Sequence, residues 1–296
     1  AVRVGGKLLE VEWQGALDYV ANGLKDIART HGGESIAALA SPHSTLEELY
    51  LLQKLTRGLG SGSVDFRPRR RDFSSDGKRA GTPWLGLKLS EIKNLDAALV
   101  LGSFLRKDHP LFAQRLRQLA KKQGKVSLVS VSGDDPLINL HARITVSPAH
   151  LPLVLAAVVK AAAQLKGQAV PAGLEAVEPC AESQRIAESL VAGEKRAIFL
   201  GNVAEQSAQA GQLHVLADEL ARLTGASLGF IGEAANSVGG YVAGALPTAL
   251  NAYEMFAQPR QAYVLLGIEP ELDCYNPQQA LAAIKQASLV VMLTPF

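Results

Sequence analysis

The sequence predicts an α/β protein of doubly wound, mostly parallel sheets. Four short apolar runs carry this expectation: "ESIAALAS" (34–41), "LDAALVLGS" (95–103), "KRAIFLGN" (195–202) and "RQAYVLLGIEP" (260–270). None alternates with polar residues, the pattern of strands buried on both faces of a sheet covered by helices. Each closes on small residues and leads into helical periodicity, and repeated strand, turn and helix define the doubly wound class. With 296 residues and 48% hydrophobic content, the chain is long enough to bury such a core.

Taken in order, the run at 34–41 is followed by "STLEELYLLQKLTRGLG", in which Ser44 or Thr45 serves as N-cap and Glu47 and Glu48 occupy the first turn. The "GLGSGS" at 58–63 follows a helix rather than a strand, so it reads as a C-cap and turn, not as a dinucleotide fingerprint. Residues 67–79, "RPRRRDFSSDGKR", hold six basic and two acidic residues and little core material, which predicts a loop. Its arginines suit phosphate, an acidic protein surface or plain solvation.

After the strand at 95–103, "PLFAQRLRQLAKKQG" starts a helix on Pro110 and stops it at Gly124. "KVSLVSV" and "ARITVSP" are further strands, and Asp134 and Asp135 in the intervening "SGDDP" could serve acid–base chemistry, although side by side in a Pro-containing turn such residues more often cap backbone amides. "LPLVLAAVVKAAAQL", Leu151–Leu165, contains Lys160 and is expected to be a buried helix, too short and polar for a bilayer. Residues 166–183 form a connector. "QAGQLHVLADELARLTG" is a helix ended by Gly225, "IGEAANSVGGYVAGALP" (231–247) is a glycine-rich stretch around Asn236 that reads as a packing loop or as backbone able to approach a ligand or another chain closely, and "ASLVVML" is a last strand.

Composition excludes several functions. Net charge is +2, so nothing global points to nucleic acid. Cys180 and Cys274 stand far apart, which leaves no disulfide framework, CxxC site or iron–sulfur motif, and a reducing compartment fits best. The histidines (31, 43, 109, 141, 150 and 214) form no metal-ligand spacing and are expected in surface or capping roles. The chain opens on Ala1 and ends on an apolar strand, the expectation for a fragment of a longer polypeptide.

"KLLEVEWQGALDYVANGL", "SPHSTLEELYLLQKLTRGLGSGSVD", "LGSFLRKDHP", "GNVAEQSAQAG", "IGEAANSVGGYVAGALP" and "GIEPELDCYNP" together resemble, in order, the core of the molybdopterin oxidoreductase family. The resemblance implies two doubly wound α/β domains of the formate dehydrogenase type, one inserted in the other. The outer domain would hold residues 1–66 and 178–296, the inserted one residues 67–177. Active relatives bind a molybdenum or tungsten bis-pterin guanine dinucleotide. Their contact motifs are missing here: Gly-x-Asn-Pro becomes Gly102, Ser103, Phe104 and Leu105, and "SGDDP" lacks the arginine of Asp-Pro-Arg. Ser147, Pro148, Ala149 and His150 replace a Pro-Gly-Thr-Asp type turn, and Glu269 stands where Asn is usual. The metal ligand would fall at 67–79, where no Cys exists and only Ser74 and Ser75 are available.

Within the family the sequence looks most like the branch forming the C-terminal part of the large iron–sulfur subunit of NADH:quinone oxidoreductase (respiratory complex I). That likeness implies a cofactor-free structural domain with no catalytic, cofactor-binding or metal-ligating residues of its own. It places 4Fe-4S and 2Fe-2S clusters in an upstream part. It also implies other hydrophilic-arm subunits as partners, no nucleic acid, no direct membrane insertion, and a cytoplasmic position peripheral to the inner membrane. The alternative is part of the catalytic subunit of a molybdenum or tungsten oxidoreductase such as formate dehydrogenase, with Ser74 or Ser75 as ligand. A nucleotide-using α/β enzyme outside the family is a third expectation.

Overall fold

The computed structural model describes residues 1–79 and 81–294. Its strands are β1 (Val2–Val4), β2 (Lys7–Leu9), β3 (Ile36–Ala40), β4 (Val64–Asp65), β5 (Ala97–Leu101), β6 (Lys125–Ser130), β7 (Ala142–Thr145), β8 (Arg196–Leu200), β9 (Ser227–Phe230), β10 (Ala262–Leu266) and β11 (Leu289–Leu293). They fall into two compact units, residues 1–70 with 234–296, and residues 71–233.

The unit of residues 71–233 holds a five-stranded parallel sheet in the order β7-β6-β5-β8-β9. Successive side chains of β5 point to opposite faces. Ala97, Leu99 and Leu101 join the helices Leu151–Leu165, Ala181–Ala192 and Ala210–Thr224 in one core. Ala98 and Val100 join Phe112 and Leu116 of helix Pro110–Lys121 in the other. Both faces of the sheet are therefore covered, as the uninterrupted apolar runs require.

The unit of residues 1–70 and 234–296 holds a parallel sheet in the order β11-β10-β3-β4 and a separate antiparallel hairpin, β1-β2. Every residue of β3 is buried. Leu24 and Ile27 of helix Trp13–His31 and Leu49 and Leu52 of helix Leu46–Gly58 pack over it. Thr45 caps the second helix, in a reciprocal capping box with Glu48.

Several details differ from the sequence expectations. The second joint falls at 233/234 rather than 178, because Arg196–Leu200 pairs along its length with Ala97–Leu101 and so draws β8 and β9 into the same sheet. The 166–183 connector joins two helices of one unit. The loop beginning at residue 67 is not all solvated: Arg67 and Arg70 are buried. Residues 231–247 include a helix, Ser237–Val242, whose Gly240 faces the Phe66 ring so closely that a Cβ would lie 2.5 Å from it.

Together with the turn that precedes helix Leu151–Leu165, the window Pro148–Leu165 reaches 18 residues at mean hydropathy 1.4, long and apolar enough to cross a membrane by length and composition. It is nevertheless 61% buried inside the protein. Its Lys160 Nζ donates to the Glu175 carbonyl at 2.8 Å, so the helix is a core element whose one cation has a built partner.

Candidate functional site

In an open α/β sheet, ligands bind where the strand order reverses, outside the carboxyl ends of the strands. In residues 71–233 that point lies between β5 and β8, and there the chain closes on itself. Gly201 N donates to the Leu101 carbonyl and Val203 N to the Gly102 carbonyl, both at 2.9 Å. Gly102 adopts φ +68°, and a Cβ on it would lie 2.8 Å from Ala204 N. A Cβ on Gly201 would lie 2.5 Å from the Ser103 side chain.

The side chains that follow complete the closure. Ser103 is buried with its hydroxyl 3.3 Å from His109 Nδ1. His109 Nε2 lies 2.9 Å from the Gly232 carbonyl; donation there leaves Nδ1 to accept the Ser103 proton. Leu105 is in the apolar core. The turn itself is thus closed by its own backbone, with the Ser103 hydroxyl engaged by His109.

Beside it, a cavity of about 240 Å³ separates Ser103–Lys107 from the loop after β6, and its far wall carries Asp134 and Asp135. Asp135 accepts from Leu137 N at 2.8 Å, in the capping role expected from the sequence, while Asp134 pairs with Lys107 at 3.6 Å. Arg106 donates to the Asp135 carbonyl, and Arg143 to the Ser132 and Asp134 carbonyls. At 147–150 the turn is held by its own contact, Ser147 Oγ to His150 Nδ1 at 2.7 Å. In the other unit, Glu269 and Asp273 stand together after β10, with Asp273 accepting from Glu269 N at 2.9 Å and from Arg69 at 3.0 Å.

A larger cavity, about 760 Å³, lies wholly within residues 71–233. The 72–79 loop forms one wall, and the helices Leu151–Leu165 and Ala210–Thr224 form others. Asp72 fixes the loop to the second helix, accepting from Gly211 N at 2.7 Å and from Ser74 N at 2.9 Å. Ser74 sits where a Cβ on Gly211 would fall, 2.1 Å from its Oγ. At the floor His214, 3% exposed, pairs through Nε2 with Glu205, and Arg79 reaches the same ring. The Arg79 guanidinium stands 4.0 Å over the Phe230 ring. His214 is therefore a core residue in a buried polar network, not the surface or capping histidine expected. Its partners lie in separate elements, so no local spacing marks it.

Two parallel-sheet α/β units, with one strand-turn-helix cradle closed by its own backbone, define a doubly wound α/β architecture. A family model, "Molybdopterin oxidoreductase", matches residues 1–296, and the chain belongs to that family. A protein named as a formate dehydrogenase from Staphylococcus haemolyticus (strain JCSC1435) is 34% identical over 128 residues, 42% of this chain and 13% of the relative. Oxidoreductase YjgC of Bacillus subtilis (strain 168) is 29% identical over 133 residues, 44% of this chain and 14% of the relative. The matches thus span only a small part of these relatives. Acetylene hydratase from Pelobacter acetylenicus superposes with a TM-score of 0.68 at 11% identity over 96% of this chain and 50% of its own. The formyltransferase/hydrolase complex from Methylorubrum extorquens gives 0.57 at 15% identity over 93% of this chain and 78% of that one. Both likenesses concern the fold.

At the strand-end turns the cations that could meet a guanine dinucleotide's diphosphate are engaged within the chain. These turns also carry Asp134, Asp135, Glu269 and Asp273, of which Asp134 pairs with Lys107 and Asp273 with Arg69, while Arg106 and Arg143 are engaged by backbone carbonyls. Only the Ser74 and Ser75 hydroxyls match the ligand position that the resemblance implies.

Proposed function

We propose that this chain is a noncatalytic α/β module of the large iron–sulfur subunit of an NADH:quinone oxidoreductase, keeping the architecture of its family without the cofactor. The observation that supports this is the turn after β5, where the Val203 amide meets the Gly102 carbonyl and His109 takes the Ser103 hydroxyl. In this reading the module scaffolds the hydrophilic arm at the cytoplasmic side of the inner membrane, against other arm subunits. The 4Fe-4S and 2Fe-2S clusters belong to a part of the subunit outside this chain.

The names of the sequence relatives favour a second reading, in which the chain is part of the catalytic subunit of a formate dehydrogenase-like enzyme that holds molybdenum or tungsten. What this chain brings to that reading is the pair Ser74 and Ser75 on the cavity wall, beside Arg79. Elemental analysis of the purified full-length polypeptide separates the two. No stoichiometric molybdenum or tungsten is expected; one such atom per chain overturns the first reading in favour of the second.

A further inference from the structure

We propose that the cavity of about 760 Å³ in residues 71–233 binds a small organic monocarboxylate, its head toward the 74–79 loop and its apolar body along Leu153 and Val215. The volume lies within the range of small-molecule sites. The polarity of its lining sets the class of ligand.

At one end the Lys78 ammonium and the amides of Gln209 and Gln212 have no side-chain partner among the described residues, and all three line the cavity. They lie near the start of the 15-residue helix Ala210–Thr224, whose amide dipoles favour negative charge there. Of the loop's two carboxylates, Asp72 is engaged by Gly211 N and Ser74 N, and neither it nor Asp76 lines the cavity. Farther along the same helix stands Asp218, seven residues beyond Gly211 and so about 10 Å away along the axis. It opposes a second negative group at that end. Between them Pro152, Leu153, Leu174 and Val215 supply apolar wall. The buried Glu205, His214 and Arg79 network stiffens the floor, so the ligand need not order it. One anionic head and an apolar body satisfy this arrangement; a dianion or a bare phosphate does not.

This inference rests on the cofactor-free reading, because Ser74 and Ser75 line the cavity at the position that the resemblance would give to the metal ligand. The test is calorimetric titration of the full-length polypeptide with octanoate, octanol, suberate and inorganic phosphate, after metal analysis of the same preparation. Saturable octanoate binding is expected, with suberate and phosphate at least about tenfold weaker and octanol undetectable. Lys78→Ala is expected to weaken octanoate about two- to fivefold, the worth of one exposed charge. Leu153→Trp, on a solvent-facing position, is expected to abolish binding without lowering the unfolding temperature. A metal-free preparation that ignores octanoate, or takes phosphate or octanol equally well, overturns the proposal alone. Stoichiometric metal overturns the reading beneath it.

Discussion

Arg67 Nε donates to Asp65 Oδ1 at 2.8 Å, with the two side chains 6% and 0% exposed. The same carboxylate accepts from the amides of Phe66 and Arg67 and, through Oδ2, from Ala252 N at 3.1 Å, tying β4 to the start of helix Ala252–Ala257. The guanidinium also stands 5.6 Å from the Tyr241 ring centroid. Removing Asp65 takes this ion pair from the buried guanidinium and the acceptor from three backbone amides, whereas removing Arg67 leaves the buried carboxylate on those amides alone.

Asp65→Ala is therefore expected to cost about 3–5 kcal/mol, and Arg67→Ala a similar amount. The Arg67→Met, Asp65→Leu double variant is expected to lose less than the sum of the two singles, because the one ion pair is lost only once. Urea unfolding of the three proteins checks this. Additive losses sink the account.

Gly102 and Gly167 both hold left-handed backbone, φ +68° and +63°, but differ in what surrounds them. A Cβ on Gly167 meets nothing within 4 Å, whereas one on Gly102 meets Ala204 N at 2.8 Å. Gly167→Ala is expected to cost about 1–2 kcal/mol from backbone strain alone. Gly102→Ala adds a collision with backbone that cannot rotate away, for a total of about 2–5 kcal/mol. Equal losses in denaturant titration mean that the β5 turn is looser than described.

The strands were legible wherever burial on both faces leaves an unbroken apolar run, as in β3, β5, β8 and β10. β9 carries no such run because Gly229 lies where a Cβ would sit 2.1 Å from the Leu85 carbonyl oxygen, and close packing there removes the side chain that would mark a strand. β4 is two residues long, too short for periodicity. The second joint was illegible for a different reason: a Pro- and Gly-containing connector looks the same whether it links two domains or two helices of one. At the candidate site, Ser74 and Ser75 could be named from the resemblance. The cavity they line could not, since it depends on Asp72 meeting Gly211 across 139 positions of sequence.

The two cysteines are expected to differ sharply in reactivity. Cys180 is exposed. Cys274 is buried, and desolvation, aided by Asp273 and Glu271, pushes its thiol up to about 12. Since the thiolate is the nucleophile, iodoacetamide at mildly alkaline pH should label Cys180 in the native protein and spare Cys274, with both labelled in denaturant. Peptide mass mapping reads the result, and native labelling of Cys274 refutes its burial.

Asp96 gives the molecule a predictable acid sensitivity. Its Oδ2 accepts from the amides of Glu194 at 2.9 Å and Lys195 at 2.8 Å, clasping the entry of β5 to the entry of β8. Those bonds, the Lys195 amide first, favour the carboxylate and hold its pKa below the ordinary 3.8. A group whose pKa falls on folding stabilises fully above its unfolded value, and that stability disappears as pH drops through the lower folded value. Asp96 therefore contributes at neutral pH and progressively less below about pH 4. Asp96→Asn keeps an acceptor oxygen but cannot titrate. Its unfolding free energy is expected to lie below that of the parent at pH 7, with the gap narrowing as pH falls below 4. A gap that stays constant from pH 7 downward shows that the two amides do not discriminate between the charged and neutral forms.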